Sequence, residues 1–169
     1  NKATKIKALI DAQTNCFKVG LTTVDDAGLY KQDIDLIDSL QQSNTLKMKV
    51  YAMLADTEEN FDYYLKNGTY KSDKLNVRSF KFTAYFKEKV RQLYNAGFQM
   101  NTHCIGDSAN RFMLNTYSEI LKEKNNKRWR IEHCQVIEEA DFELFGNYSI
   151  IPSVQPTHAT SDMYWAADR

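Results

Sequence analysis

Hydrophobic and polar positions along the chain switch repeatedly between the helical and the strand period. From Lys2 to Lys18, Ile6, Leu9, Ile10, Gln13 and Phe17 recur on one helical face, and Gly20 is placed to end the helix. Leu21 to Val24 reads as a short strand that runs out at Asp25-Asp26-Ala27-Gly28. Asp33 to Leu40 returns to helical spacing through Ile34, Ile37 and Leu40. Lys47 to Leu54 is strand-like, and Thr57 is a natural N-cap for a helix over Glu58–Lys66, closed by Asn67-Gly68. Leu75 to Phe82 alternates as a strand does, and Thr83 to Ala96 is helical with Phe86, Val90, Leu93 and Tyr94 inward. Phe98 to Cys104 is the next strand. Asp107 is the expected cap of a long helix, Ser108–Lys124, that carries Phe112, Met113, Tyr117, Ile120 and Leu121. A strand over Trp129–Val136, a helix over Glu138–Phe145 and a strand over Ser149–Gln155 complete the pattern.

Regular alternation of strands and helices implies an α/β fold with parallel strands and right-handed crossovers. Two architectures fit, an open doubly wound sheet and a (β/α)8 barrel. A barrel takes about 250 residues. The 169 residues here, with six expected strands, could complete a sheet but supply only part of a barrel. One junction is unusual: strand Leu75–Phe82 runs straight into a helix, where βα connections usually take about 2–6 residues. Residues are therefore expected to be missing between Phe82 and Thr83. The chain opens at Asn1 without Met and stops at Arg169 without a closing element, as an excerpt of one longer domain would.

Twenty-two Lys and Arg balance twenty-two Asp and Glu. A neutral chain argues against nucleic acid or an anionic membrane as partner, since either favours a basic face. No apolar run approaches the roughly 18 residues of a membrane span. Three cysteines without a CxxC exclude a disulfide framework and a thiolate zinc knuckle. A reduced, cytoplasmic protein is the default expectation, with any signal peptide lying upstream of Asn1. Nothing in the pattern fixes the oligomeric state.

The chain has three histidines, each at the C-terminal end of an expected strand: His103, His133 and His158. In parallel α/β proteins these strand ends form the ligand-binding face. A lone histidine beside an apolar strand is more often a hydrogen-bonded core residue. Three in the same topological position point instead to a shared site, and to a metal rather than a hydrolytic triad, because no G-x-S-x-G elbow or activated cysteine accompanies them. Cys104 and Cys134 each follow a histidine, and strand alternation turns them towards the helix layer as small hydrophobes. Lys81 occupies an equivalent strand end. Arg130 and Glu132 share a strand face, either lining a pocket or pairing with each other. Gln155-Pro156-Thr157-His158 suits a polar rim.

The stretches GLTTVDDAGL (20–29), VRSFKF (77–82), AGFQMNTHCIGDSANRFMLNTY (96–117), RWRIEHCQVI (128–137) and IPSVQPTHATSDMYWAADR (151–169) together resemble the metal-dependent amidohydrolase superfamily. The likeness is greatest to the branch that includes N-substituted formamide deformylases. It implies a (β/α)8 TIM barrel of which this chain supplies strands two to seven, with outer helices. It also implies metal ligation by His103 and His133, and by Lys81 in carboxylated form. His158 and Arg130 would serve catalysis, and Gln155, Asp162 and Trp165 would contact substrate. The implied cofactor is one or two divalent ions, zinc by preference, activating water against a small-molecule amide or formamide. The family's strand-one His-x-His and strand-eight Asp are absent, so the fragment alone is expected to be inactive. The rival reading is a non-catalytic α/β module whose histidines hold a small anionic ligand.

Overall fold

The structure, a computed structural model, describes residues 1–82 and 87–166, the last two by their backbone alone. The junction at Thr83 and the inward position of Phe86 lie outside the described residues. The chain divides into two compact units, Asn1–Phe80 and Lys81–Arg169.

The first unit runs α1 (Lys2–Lys18), β1 (Thr23–Leu29), α2 (Lys31–Gln42), β2 (Lys49–Ala55), α3 (Glu58–Asn67), β3 (Tyr70–Lys71) and most of β4 (Leu75–Phe82). β1 and β2 pair in parallel, β4 follows β2 in the sheet, and β3 adds a short antiparallel ladder to β4. Ile34 and Ile37 from α2 are buried with Val50 and Leu54 from β2, and Phe61 stacks on Phe80 with ring centroids 4.8 Å apart. The expected face of α1 is present but shallow: no residue of that helix is buried, and Phe17 is exposed. Polar contacts supplement its half-buried Ile6, Leu9 and Ile10. The Gln13 side-chain oxygen accepts from the backbone N–H groups of Lys47 (2.5 Å) and Met48 (3.0 Å).

β1 outlasts its expected end at Asp25, because pairing with β2 carries the ladder on to Leu29. The register slips between Ala27 and Leu29, and Gly28, at φ 100°, absorbs the extra residue. The caps of α3 follow expectation. Thr57 accepts from the Asn60 N–H, and Gly68 at φ 79° closes the helix.

The second unit holds the last residues of β4, then α4 (Lys87–Asn95), β5 (Gln99–Cys104), α5 (Asp107–Leu121), β6 (Arg130–His133), α6 (Phe142–Tyr148), β7 (Ile151–Val154) and two short helices, α7 (His158–Ser161) and α8 (Met163–Ala166). β5, β6 and β7 are parallel neighbours in that order. Trp129 is fully buried, with Tyr94 and Tyr117 edge-on to it at 5.9 and 4.8 Å, and its indole N–H donates to Phe98 O. Met113, Tyr117, Ile120 and Leu121 form the inner stripe of α5, whereas Phe112 falls one position off that stripe and is exposed. Gly106, not Asp107, is the cap of α5; Asp107 is the first helical residue, and its carboxylate accepts from the Ser108 N–H at 2.7 Å. The helix expected over Glu138–Phe145 sits further along as α6. A single 3-10 turn, Glu139–Asp141, precedes it, anchored by a two-oxygen ion pair between Asp141 and Arg111 Nε.

The sheet order β1-β2-β4-β5-β6-β7 never reverses, as that of a doubly wound sheet does, so the parallel strands and intervening helices form a partial (β/α)8 barrel, as expected. Among the described residues no helix is long and apolar enough to cross a membrane.

A buried amide secures the end of β1 against that of β2. Asn60 is fully buried, and its Nδ2 donates to Leu29 O (3.1 Å) and Ala55 O (2.9 Å). Replacing it by Ala removes both bonds, leaving Ala55 O with the Thr57 N–H alone. Asn60→Ala should therefore lose about 1–3 kcal/mol in denaturant unfolding, with amide exchange accelerated around Leu29 and Ala55.

Candidate functional site

Parallel strands end at the same edge of a sheet, so the side chains that close β5, β6 and β7 meet in the second unit. The register pairs Asn101 with Arg130, Thr102 with Ile131, His103 with Glu132 and Cys104 with His133. Neighbours in register point to the same face, which puts Asn101, His103, Arg130 and Glu132 together on one side. By the same rule His133 belongs with Cys104 on the other. It does not go there. The His133 ring lies beside that of His103, with centroids 4.6 Å apart and planes at 75°.

The backbone supplies the reason. His133 has φ 77° and Cys134 φ 45°, two successive non-glycine residues in the left-handed region. The strand end therefore rolls over, taking the imidazole towards His103 and the thiol inward, where Cys134 Sγ donates to Ile131 O at 3.3 Å. Such a conformation costs of order 1–3 kcal/mol per residue and persists only where its surroundings enforce it. Here the ladder continues beyond the strands, with Cys134 N donating to Cys104 O and Val136 N to Ile105 O. Asn110, fully buried in the first turn of α5, places its Nδ2 on Ile105 O (3.2 Å), Gly106 O (2.9 Å) and Val136 O (3.0 Å). The thiols of Cys104 and Cys134 are buried, and burial above all pushes both up to about 12.

Burial, helped by His133 and Lys81, lowers the pKa of His103 and so favours the neutral ring. Lys81 is half-buried, and burial lowers its pKa too. The Glu132 carboxylate opposes that shift and Arg130 adds to it. Arg130 is itself engaged, since its Nε and Nη2 both meet Glu132 Oε1, at 2.8 and 2.7 Å.

Residues 2–169 match the Amidohydrolase family. The chain belongs to that family. Solved structures of uncharacterised metal-dependent hydrolases share its fold. One from Pyrococcus horikoshii OT3 superposes with TM-score 0.84 over 100% of the chain at 17% identity. Another, from Pyrococcus furiosus, gives 0.77 over 92% at 19%. The chain spans 40% and 38% of those proteins' lengths. Protein LONG AFTER FAR-RED 3 of Arabidopsis thaliana is 36% identical over 69 residues, which are 40% of this chain and 12% of that protein.

The donor set of this amidohydrolase chain suits a metal ion. Two imidazoles are in ring contact, and Lys81 is close enough for its charge to act on His103. Nitrogen ligands of this kind favour zinc and its neighbours over calcium or magnesium. Among the described residues no three His, Cys, Asp or Glu side chains converge tightly enough to hold an ion unaided. His103 and His133 are the two imidazoles that the fold brings into ring contact.

The other expected site residues lie on the β7 side. The His158 ring centroid is 6.2 Å from that of His133, at the first residue of α7. Gln155 and Asp162, expected to meet substrate, have protein partners. Gln155 Oε1 lies 2.8 Å from His133 Nδ1, and Asp162 accepts from Gln135 Nε2 (2.5 Å) and Ser161 Oγ (3.0 Å). His133, Gln135, Gln155, His158 and Asp162 line an open pocket of about 390 Å³. The Trp165 side chain lies outside the described residues. Gln135 and Asn110 are site-building residues that sequence reasoning missed. The Asn of HCIGDSANR was a legible polar residue, but it lies three residues past a Gly-Asp that reads as the cap.

Two outcomes follow. At Cys134 the usual ranking of Ala over Gly should invert, because only Gly adopts φ 45° freely. Cys134→Gly is expected to exceed Cys134→Ala in unfolding free energy by about 1 kcal/mol. The second concerns acid. A histidine with a lowered folded pKa leaves the unfolded chain binding more protons below about pH 6.5, so stability falls as pH drops through that value. In the metal-free protein, the stability of His103→Gln relative to wild type should rise as pH is lowered from 7 to 5, measured by urea unfolding.

Proposed function

We propose that the intact protein is a metal-dependent hydrolase that cleaves the C–N bond of a small-molecule amide or formamide with a metal-activated water. The reading rests on one observation above the others: His103 and His133, on adjacent parallel strands, meet ring to ring at the C-terminal strand edge in a chain of the Amidohydrolase family. His103 and His133 would hold the ion, and Lys81, as the neutral amine or its carboxylated form, would complete that side of the shell. When bound, a divalent ion, zinc in our assignment, supplies Lewis acidity and brings the pKa of water towards about 7.

The chain's own residues divide the remaining work. His158, set back from the imidazole pair and lining the pocket with Gln155 and Asp162, is placed to donate a hydrogen bond to a substrate carbonyl oxygen as charge develops there. Arg130 is restrained by Glu132 and fixes positive charge on the face that carries His103, which also serves an oxyanion. Trp165 would add apolar contact to substrate. Burial lowers the pKa of Lys81 more than the Glu132 carboxylate raises it, which eases loss of the proton that ligation or carboxylation would require.

The full-length protein, purified without chelator, should carry about one or two equivalents of zinc per chain and hydrolyse members of a panel of N-formyl amines and simple amides. His103→Ala together with His133→Ala should remove most of the metal and at least about 1,000-fold of kcat/KM, by loss of the activated water. His158→Gln should spare the metal and lower kcat by about 100-fold. A protein that binds no metal and keeps its properties in the double variant is instead a non-catalytic α/β module.

A further inference from the structure

We propose that Gln155 is a positioning residue that sets the tautomer of His133, putting the proton on Nδ1 and leaving the Nε2 lone pair free for an ion. The proposal builds on the reading of His133 as a ligand, but its physical content is separate from it. His133 Nδ1 and Gln155 Oε1 are 2.8 Å apart. An amide oxygen only accepts, so Nδ1 must be the donor, and in the neutral ring Nε2 is then the bare nitrogen. In metal sites, the nitrogen that binds is decided by the hydrogen bond the other nitrogen makes.

The fold delivers Gln155 to this place and keeps it there. In the β6–β7 register His133 is opposite Val154, so the next residue, Gln155, arrives level with a ring that the left-handed turn at φ 77° has swung towards the strand edge. The segment after β7 is tied at two further points. Gln155 O accepts from the His158 N–H at 3.0 Å, and four residues beyond His158 the Asp162 carboxylate is held by Gln135 from the β6 side. Gln135 and Gln155 thus bracket the segment, one grasping its far end and the other orienting the imidazole at its near end. Gln155, expected to face substrate, thus also reaches the imidazole of His133.

The test uses the full-length protein labelled with ¹⁵N-histidine, metal-free and at pH 8, where neutral rings report their tautomer through nitrogen chemical shifts. His133 resonances are assigned by their loss in His133→Gln. The expected wild-type result is a protonated-type Nδ1 and a lone-pair-type Nε2. Gln155→Glu, which still accepts at the same reach, should keep that tautomer and bind zinc within a few-fold of wild type. Gln155→Leu should shift the proton towards Nε2 and weaken zinc binding about 10- to 100-fold. A wild-type ring protonated on Nε2, or a Gln155→Leu ring with its tautomer and zinc affinity unchanged, overturns the proposal. Because the tautomer is read without metal or substrate, absence of hydrolysis would count against the hydrolase reading alone.

Discussion

Parallel strands that stop together carry their last carbonyls past the regular ladder, and the candidate site of this chain depends on how those oxygens are tied. In the second unit a single carboxamide, that of Asn110, serves three of them and joins the ends of β5 and β6. The first unit meets the same need with Asn60, which spans the ends of β1 and β2 from the first turn of α3. Both side chains are fully buried, so the hydrogen bonds form away from competing water. A short rigid amide at the head of a crossover helix couples that helix to two strands at once, and it fixes where the following residues begin.

Upon that fixed edge the chain spends conformational strain. Strand geometry alone would send the His133 ring to the helix layer, where Cys104 points. Two left-handed residues in succession reverse this, and the buried thiol of Cys134 holds the reversal in place through Ile131 O. The same turn brings the ring within reach of Gln155 and of His103. Strain, metal-type donors and an open pocket therefore coincide on β6, which is where a site-forming role is most expected.

Much of this was legible in the linear pattern. The switch between helical and strand periods gives the order of the elements, and Thr57 and Gly68 mark the ends of α3 as their side-chain chemistry requires. The three histidines at strand ends and the family motifs mark the candidate site. Other features leave no local trace. β3 is two residues long, and β1 reaches Leu29 only because β2 lies beside it. Parity along RIEH assigns His133 to the wrong face, since a left-handed non-glycine residue is imposed by packing, not by its own preference. Gln155, from its polar rim, and Asp162, from the family resemblance, read as substrate-facing; they line the pocket and are also hydrogen-bonded within the chain. Their partners lie 22 and 27 positions away, a separation that no motif spacing encodes. Arg130 and Glu132, two apart on one strand, were the easier case, and they do pair.

The treatment of the thiols has a practical side. Cys104 and Cys134 are sealed beneath the site and hold their protons to about pH 12, so neither presents a thiolate that alkylating reagents or mild oxidants could reach. Cys16, on the loosely seated first helix, is only partly covered. A maleimide fluorophore would consequently mark one end of the chain and leave the histidine cluster chemically untouched, giving an optical reporter on α1 that does not perturb the strands it flanks.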